Sequence, residues 1–229
     1  MFFIIGLCLA SFLNVVAERT VRCEKWLWSR SKCNSCGHVL AWYDLIPVLS
    51  WIFLKGKCRY CKNSIPVRYP LSELALGIAL FFSVKWYYLP FYKFYIVAGF
   101  SVLFLSVLTD IYDRTIYDIF TLPFAGIFLL ANILFFGLDA FILSFFGGVV
   151  GFVAAILLTK TKKVGQGDAT LLLFAGVWLG LIDIIRSGVF AALVFGATLA
   201  LLSLSKGKFK EGLPLTPFLF IGVVLNFCF

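Results

Sequence analysis

Two groups of side chains in this chain have types and spacings suited to chemistry. The first is a pair of acidic clusters. Asp168 follows two spaced glycines in Lys163-Val164-Gly165-Gln166-Gly167-Asp168, and Asp110, Asp113 and Asp118 share the run from Asp110 to Asp118. Both clusters lie between long apolar segments, and a carboxylate at membrane depth costs about 2.5–3.5 kcal/mol on insertion scales. Groups kept at that cost are candidates for acid–base work. Two carboxylates sharing a site cannot both ionise readily, so one holds a proton while the other can deprotonate a water. Gly165 and Gly167 suit a tight loop that presents Asp168 to an extended substrate, because glycine accepts positive φ and close backbone approach. The bland alternatives are an N-cap role for Asp168 and solvated loop charges beside Arg114 for Asp113 and Asp118.

The second group is four cysteines. Cys33-Asn-Ser-Cys36 and Cys58-Arg-Tyr-Cys61 give two Cys-x2-Cys pairs separated by 21 residues. Paired knuckles of this kind place four thiolates tetrahedrally around one Zn2+. Two disulfides are the alternative, which a loop on the reducing side of a membrane rarely keeps. A loop this small has little core, so the metal would supply much of its folding free energy. His38 reads as a surface residue beside the first knuckle, Cys8 and Cys228 as small hydrophobes in apolar segments, and Cys23 has no evident partner.

The elements that must position these groups follow from composition. With 62% hydrophobic residues, 14% charged residues and a mean hydropathy of +1.02, the 229-residue chain is too apolar for a soluble globule. The expectation is an all-α polytopic membrane protein. At about 20 residues per span the apolar segments number eight: 1–17, 70–91, 92–109, 119–137, 139–159, 169–185, 187–205 and 213–229. Residues 1–17 form a retained first helix with its N-terminus outside, because the arginines Arg19 and Arg22 follow it rather than precede it. Residues 18–69 form a loop domain carrying half of all Lys and Arg, and 70–229 a seven-helix domain. If the loop domain is cytoplasmic, Arg114, Lys160, Lys162, Lys163, Lys206, Lys208 and Lys210 fall on its side, against Lys85, Lys93 and Arg186 on the other. The net charge of +9 therefore marks topology rather than a nucleic-acid partner, and all four acids of the two clusters lie at the cytoplasmic boundary.

Four motifs in order carry a family resemblance. Ala10-Ser-Phe-Leu-Asn14-Val-Val16, the twin knuckles enclosing Leu45-Ile-Pro-Val-Leu-Ser-Trp51, Arg68-Tyr-Pro-Leu-Ser-Glu73, and Gly165-Gln-Gly-Asp168 together resemble the prepilin peptidases, or type IV leader peptidases; Pro214-Leu-Thr-Pro217-Phe218 also fits. The resemblance runs from about Ala10 to the C-terminus. It implies an aspartic protease of the cytoplasmic (inner) membrane that cuts the basic leader of type IV prepilins or pseudopilins at a Gly-Phe type junction. It also implies N-methylation of the new N-terminal residue by S-adenosylmethionine, and a zinc-holding cysteine loop. The family's second catalytic Asp maps to Asp168 and its first to Asp110, with Asp113 the next candidate. Departures are Tyr117 and Asp118 where Pro and Asn are usual, Ala10 for a Gly, and Thr170 where a Lys often stands.

Several residues carry plainer expectations. Asn14 reads as an interhelical hydrogen bond, Gly147 and Gly151 as small-residue helix packing, Glu73 as a helix-end carboxylate, with contact to a substrate amine or the methyl donor as the alternative, and Asp113, Asp118 and Glu18 as candidate contacts for a basic leader. A peptidase without methyltransferase activity, a proton-coupled transporter, and a zinc scaffold anchored by its membrane part are the competing functions. No glycine-rich fingerprint locates a site for the methyl donor.

Overall fold

The computed structural model describes residues 1–24, 30–85, 87–159, 166–204 and 215–228. The regular secondary structure of the described residues is helical: α1 (Phe2–Val21), the short α2 (Leu49–Phe53), α3 (Arg68–Val84), α4 (Pro90–Asp113), α5 (Asp118–Ala131), α6 (Leu138–Thr159), α7 (Gln166–Leu179), α8 (Leu181–Leu204) and α9 (Thr216–Cys228). Each of the eight apolar segments carries a helix. Five are long and apolar enough to cross a membrane: α1, α4, α5 with the π-helical turn Asn132–Phe136 that prolongs it, α6 and α8. The expected count of eight is met only in number of helices. With 17, 14 and 13 residues, α3, α7 and α9 are about 20–26 Å long at 1.5 Å per residue, short of a hydrocarbon core of about 30 Å.

Two boundaries differ from expectation for a local reason. The break after α7 falls at Gly180, not near Arg186, because Gly180 takes φ +84° and stops the helix in the left-handed conformation that glycine accepts. Asp183 and Arg186 consequently lie inside α8. At the other end of the acidic run, α4 continues past residue 109, so that Asp110 and Asp113 sit in its last turn.

The chain divides into two compact units, Met1–Leu108 and Thr109–Phe229. In the first, α1 and α3 run antiparallel at very short range. A Cβ on Gly6 would lie 2.7 Å from the Gly77 Cα, and further along Asn14 Nδ2 donates to Ser72 Oγ at 2.7 Å. That interhelical bond is the one expected of Asn14; in an apolar setting its alternative is an unsatisfied amide. Leu13, Val16, Leu76 and Leu80 fill the seam.

In the second unit, α6 and α7 cross through glycine. Side chains at Gly147 or Gly176 would collide with the other helix's backbone, and one at Gly151 with Leu172, so the packing role expected for Gly147 and Gly151 holds. Phe128 of α5 meets Phe174 of α7 edge to face at 5.6 Å, and Trp178 of α7 stacks on Phe227 of α9. Asn132 Nδ2 donates to Ser144 Oγ at 2.8 Å within the buried α5–α6 contact. Gly222 of α9 packs on Ser187 and Ala191 of α8. Many of the remaining apolar side chains, Phe135, Phe145, Phe146, Ile182 and Leu193 among them, face outward, as expected for a lipid-facing surface.

Candidate active site and metal centre

The acidic clusters fall in the second unit, and local structure sets each carboxylate. Asp110 lies in the last turn of α4 and is buried. Its Oδ2 accepts a 2.6 Å hydrogen bond from the hydroxyl of Thr216, which opens α9 and is itself 1% exposed. Asp168 lies in the first turn of α7, half-buried. Asp113 is exposed and accepts from Thr115 at 3.2 Å. Asp118 opens α5, and its Oδ1 accepts from Thr170 at 2.7 Å.

Two contacts join the acid-bearing segments. A Cβ added to Gly167 would come within 2.9 Å of the Ile116 Cβ and 3.1 Å of its carbonyl oxygen, so the absence of a side chain there lets the 110–118 run lie directly on the start of α7. The Thr170–Asp118 bond pins the same two segments one turn further on. Gly165, the other glycine expected to shape this loop, lies outside the described residues.

The four cysteines form a second centre, in the first unit. Each knuckle closes in the same way. Cys33 N–H donates to the His38 carbonyl as Cys58 N–H does to that of Asn63, and Gly37 N–H donates to the Cys33 carbonyl as Lys62 N–H does to that of Cys58. The bridges Lys32–Val39 and Lys57–Ser64 close the two loops. Gly37 and Lys62 hold the equivalent positive-φ positions. The knuckles are thus a local repeat that the sequence shows only through its cysteines. Asn63 Nδ2 ties them together by donating to Ser35 Oγ at 2.6 Å.

All four sulfurs lie within 4.8 Å of one another as free thiols, and Cys33 and Cys61 Sγ are 3.8 Å apart. A tetrahedron with metal–sulfur bonds of about 2.3 Å has edges of about 3.8 Å, so the cluster fits a soft tetrahedral cation and can hold a metal ion. The backbone N–H of Cys36 draws the Cys33 thiol down to about 6, with further hydrogen bonds from Ser35 and the neighbouring thiols outweighing burial. The Cys61 thiol is pushed up to about 11, since burial and its bonds to the other three thiols outweigh the Asn63 backbone N–H. His38 stays outside the cluster, exposed, with its ring 3.6 Å from that of Tyr60.

Around this centre the loop is braced by Asp44, whose side chain is 3% exposed and binds Arg59 Nε at 2.7 Å, the Tyr60 hydroxyl and the Ala41 N–H. Burial opposes its charge, but Arg59 and the other donors prevail and hold the carboxyl below its usual range. Glu18 binds Arg68 and Tyr69. Glu73 departs from its expected place: it lies in the second turn of α3, 7% exposed, accepting the Val48 N–H at 2.7 Å. Thr216 and Thr170, which fix two of the acids, were not expected to do so.

Apolar helices, five of them among the described residues long and apolar enough to cross a membrane, are those of a helical integral membrane protein, and four thiols after the first helix are placed so that they can hold a metal ion. Comparison with known proteins narrows the class. A model of the bacterial peptidase A24 N-terminal domain matches residues 4–88, and one of the type IV leader peptidase family matches residues 97–201. A Myxococcus xanthus protein is 35% identical over 187 residues, covering 77% of this chain and 55% of the relative. A Burkholderia pseudomallei (strain 1026b) protein is 31% identical over 253 residues, 96% of this chain and 81% of the relative. A Bacillus subtilis (strain 168) protein is 30% identical over 241 residues, 99% and 92%. All three are named prepilin leader peptidase/N-methyltransferase. This chain belongs to the type IV leader peptidase family. No solved structure matches it significantly.

Proposed function

We propose that this chain is an intramembrane aspartic endopeptidase that removes the basic leader of type IV prepilins or pseudopilins at a Gly-Phe type junction on the cytoplasmic face. In this reading it then N-methylates the residue so exposed, and the helices of its eight apolar segments are eight spans. The observation that carries the peptidase is the joining of two acidic segments, Ile116 on Gly167 and Thr170 to Asp118, in a chain of this family.

Asp110 and Asp168 are the catalytic pair. Asp168 sits at the start of a helix and Asp110 at the end of one, and in this reading Asp168 is the base and Asp110 the acid. Asp168 takes a proton from a water as that water's oxygen adds to the scissile carbonyl carbon. Asp110 gives its proton to the carbonyl oxygen. When the adduct collapses, Asp168 returns a proton to the departing amine as the C–N bond breaks, and Asp110 recovers its own. The Thr216 hydroxyl occupies Oδ2 of Asp110, which leaves Oδ1 to carry the proton.

Cys33, Cys36, Cys58 and Cys61 hold a structural zinc ion that fixes the loop domain. S-adenosylmethionine, when bound, supplies an electrophilic methyl group, and the chain's part is to hold the new N-terminal amine as its free base in line with it.

Cleavage of a synthetic leader peptide with a Gly-Phe junction by purified protein tests the reading. Asp110→Asn and Asp168→Asn each lose about a thousandfold or more in kcat, while retaining about one zinc per chain. Variants that still cut would remove these two residues from the chemistry and direct attention to Asp113.

A further inference from the structure

The cysteine loop of the first unit turns an apolar face outward. In α2 the indole of Trp51 points inward: its Nε1 donates to the Ile65 carbonyl at 3.0 Å, and its ring fills the space beside Gly56. Leu49, Ile52 and Phe53 are spaced three and four apart and share the other face. All three are exposed, Phe53 by 80%. Next to them stands the short 3-10 turn Trp42–Leu45, linked to α2 through the Ser50 N–H, which donates to the Ile46 carbonyl at 3.0 Å. Trp42 is 77% exposed there, its ring 5.7 Å from that of Tyr43. A contiguous apolar face of this kind marks a contact with another apolar phase.

Two hydrogen bonds fix the depth of this face. Val48 N–H donates to Glu73 of α3 at 2.7 Å, and the residue before it in α3, Ser72, accepts from Asn14 of α1 at 2.7 Å. The start of α2 therefore lies within a side chain's length of the level of Asn14. Asn14 is three residues inside the apolar end of α1 at Ala17, or about 4.5 Å at 1.5 Å per residue. Because α1 is long enough to cross a membrane, α2 begins near the depth of interfacial helices, about 5–10 Å into the headgroup and acyl boundary. Val48 takes φ +61° to make the turn, a strained conformation for a β-branched residue that the bond to Glu73 holds in place.

Charge decides what meets the face. Between residues 25 and 72 the sequence has one acid, Asp44, and Arg59 neutralises it at 2.7 Å. Lys55 and Lys57 are exposed and, among the described residues, form no ion pair. The chain turns them back on the end of α2, since Lys55 N–H donates to the Ile52 carbonyl at 3.0 Å and Lys57 N–H to that of Leu54 at 3.1 Å. An apolar face with cations at its edge complements anionic phosphates above hydrocarbon.

We infer that α2 and the Trp42–Leu45 turn rest on the anionic surface of the bilayer, with Leu49, Ile52, Phe53 and Trp42 in the headgroup and acyl boundary and Lys55 and Lys57 against lipid phosphates. The loop domain is then held to the membrane at its middle as well as by α1 and α3 at its ends. This goes beyond the peptidase reading and rests only on the chain's membrane helices.

Photocrosslinking of the full-length protein in phosphatidylglycerol nanodiscs identifies the occupant directly. With p-benzoylphenylalanine in place of Phe53, the lipid is expected as the main adduct. Adding Lys55→Glu and Lys57→Glu is expected to lower that adduct about fivefold or more, with bound metal reporting that the loop still folds. Hydrogen exchange on the wild-type protein needs no variant. Amides of residues 49–54 are expected to exchange about fivefold or more slowly in phosphatidylglycerol than in phosphatidylcholine nanodiscs, a difference that shrinks in about 1 M salt. An adduct to a second copy, to an added prepilin or to another segment of the chain in place of lipid would overturn the inference. So would equal exchange in the two lipids, or an adduct indifferent to the two lysine substitutions. Neither readout uses cleavage, so failure of the peptidase reading leaves this result standing, and the reverse.

Discussion

Two threonines do at this site what a list of acids could not reveal. The Thr216 hydroxyl donates to Asp110 Oδ2 at 2.6 Å with both residues buried, so in the proposed mechanism it fixes the rotamer of the acid. A hydrogen bond to a carboxylate contributes about 1.5–3 kcal/mol, or about ten- to a hundredfold in rate if it is needed only for alignment. Thr216→Val, which keeps the shape and removes the donor, is expected to lower kcat of peptide cleavage by that factor with KM changed less than about twofold. Thr216→Ser is expected to restore most of it. Equal losses in Val and Ser variants would reduce Thr216 to a packing residue. Thr170 acts on the other segment. Two of the chain's departures from the family pattern, Asp118 for Asn and Thr170 for Lys, hydrogen-bond to one another. The acids stood out in the sequence as candidates because a carboxylate in an apolar chain has few bland explanations. Their threonine partners were not, because a hydroxyl has no periodicity and Thr216 meets Asp110 across 106 residues of sequence.

At the scale of elements, the cysteine loop was the most legible part of the chain, since Cys-x2-Cys spacing dictates a turn and two turns dictate a cluster. What spacing could not give is the bracing. Asp44 closes the loop from outside the knuckles by gathering Arg59, Tyr60 and Ala41. Because its folded carboxyl titrates below the unfolded value, the stability it adds is fully present above the ordinary aspartate pKa of about 3.9 and is lost as pH falls through the lower, folded value. Asp44→Asn is therefore expected to release zinc to a chelator a few-fold faster than wild type at pH 7. The gap should narrow as the pH drops below about 4. Thiol protonation accelerates release from both proteins in acid, so the difference between them isolates Asp44. A gap that persists unchanged at the lowest pH would mean that the effect is steric. The same scale shows where periodicity misled. An unbroken apolar run concealed the stop at Gly180 and displaced the α7–α8 boundary, because the helix end is set by a backbone conformation and not by polarity.

For the whole molecule, composition was enough to give a bundle of apolar helices, and charge distribution adds a direction that helix geometry cannot. Among the described residues five helices satisfy the length of a span, whereas under the expected eight-span alternation the basic residues divide strongly: those of 18–69, Arg114 and the lysine groups near 160 and 206 on one side, Lys85, Lys93 and Arg186 on the other. The expectation from the positive-inside rule is that the loop domain and the 110–118 run face the cytoplasm and the connection around Tyr88 faces out. The proposed reaction needs this sense, because a basic prepilin leader is held at the anionic cytoplasmic leaflet. Tyr88 is 93% exposed and Thr115 is also exposed, so cysteines placed there report the side. A membrane-impermeant maleimide is expected to label Tyr88→Cys in intact cells, and Thr115→Cys only after permeabilisation. Labelling of Thr115→Cys in intact cells would put Asp110 and Asp118 on the outer face, where a leader retained in the cytoplasm could not reach them. The peptidase reading would then fail even if both acids proved reactive in detergent.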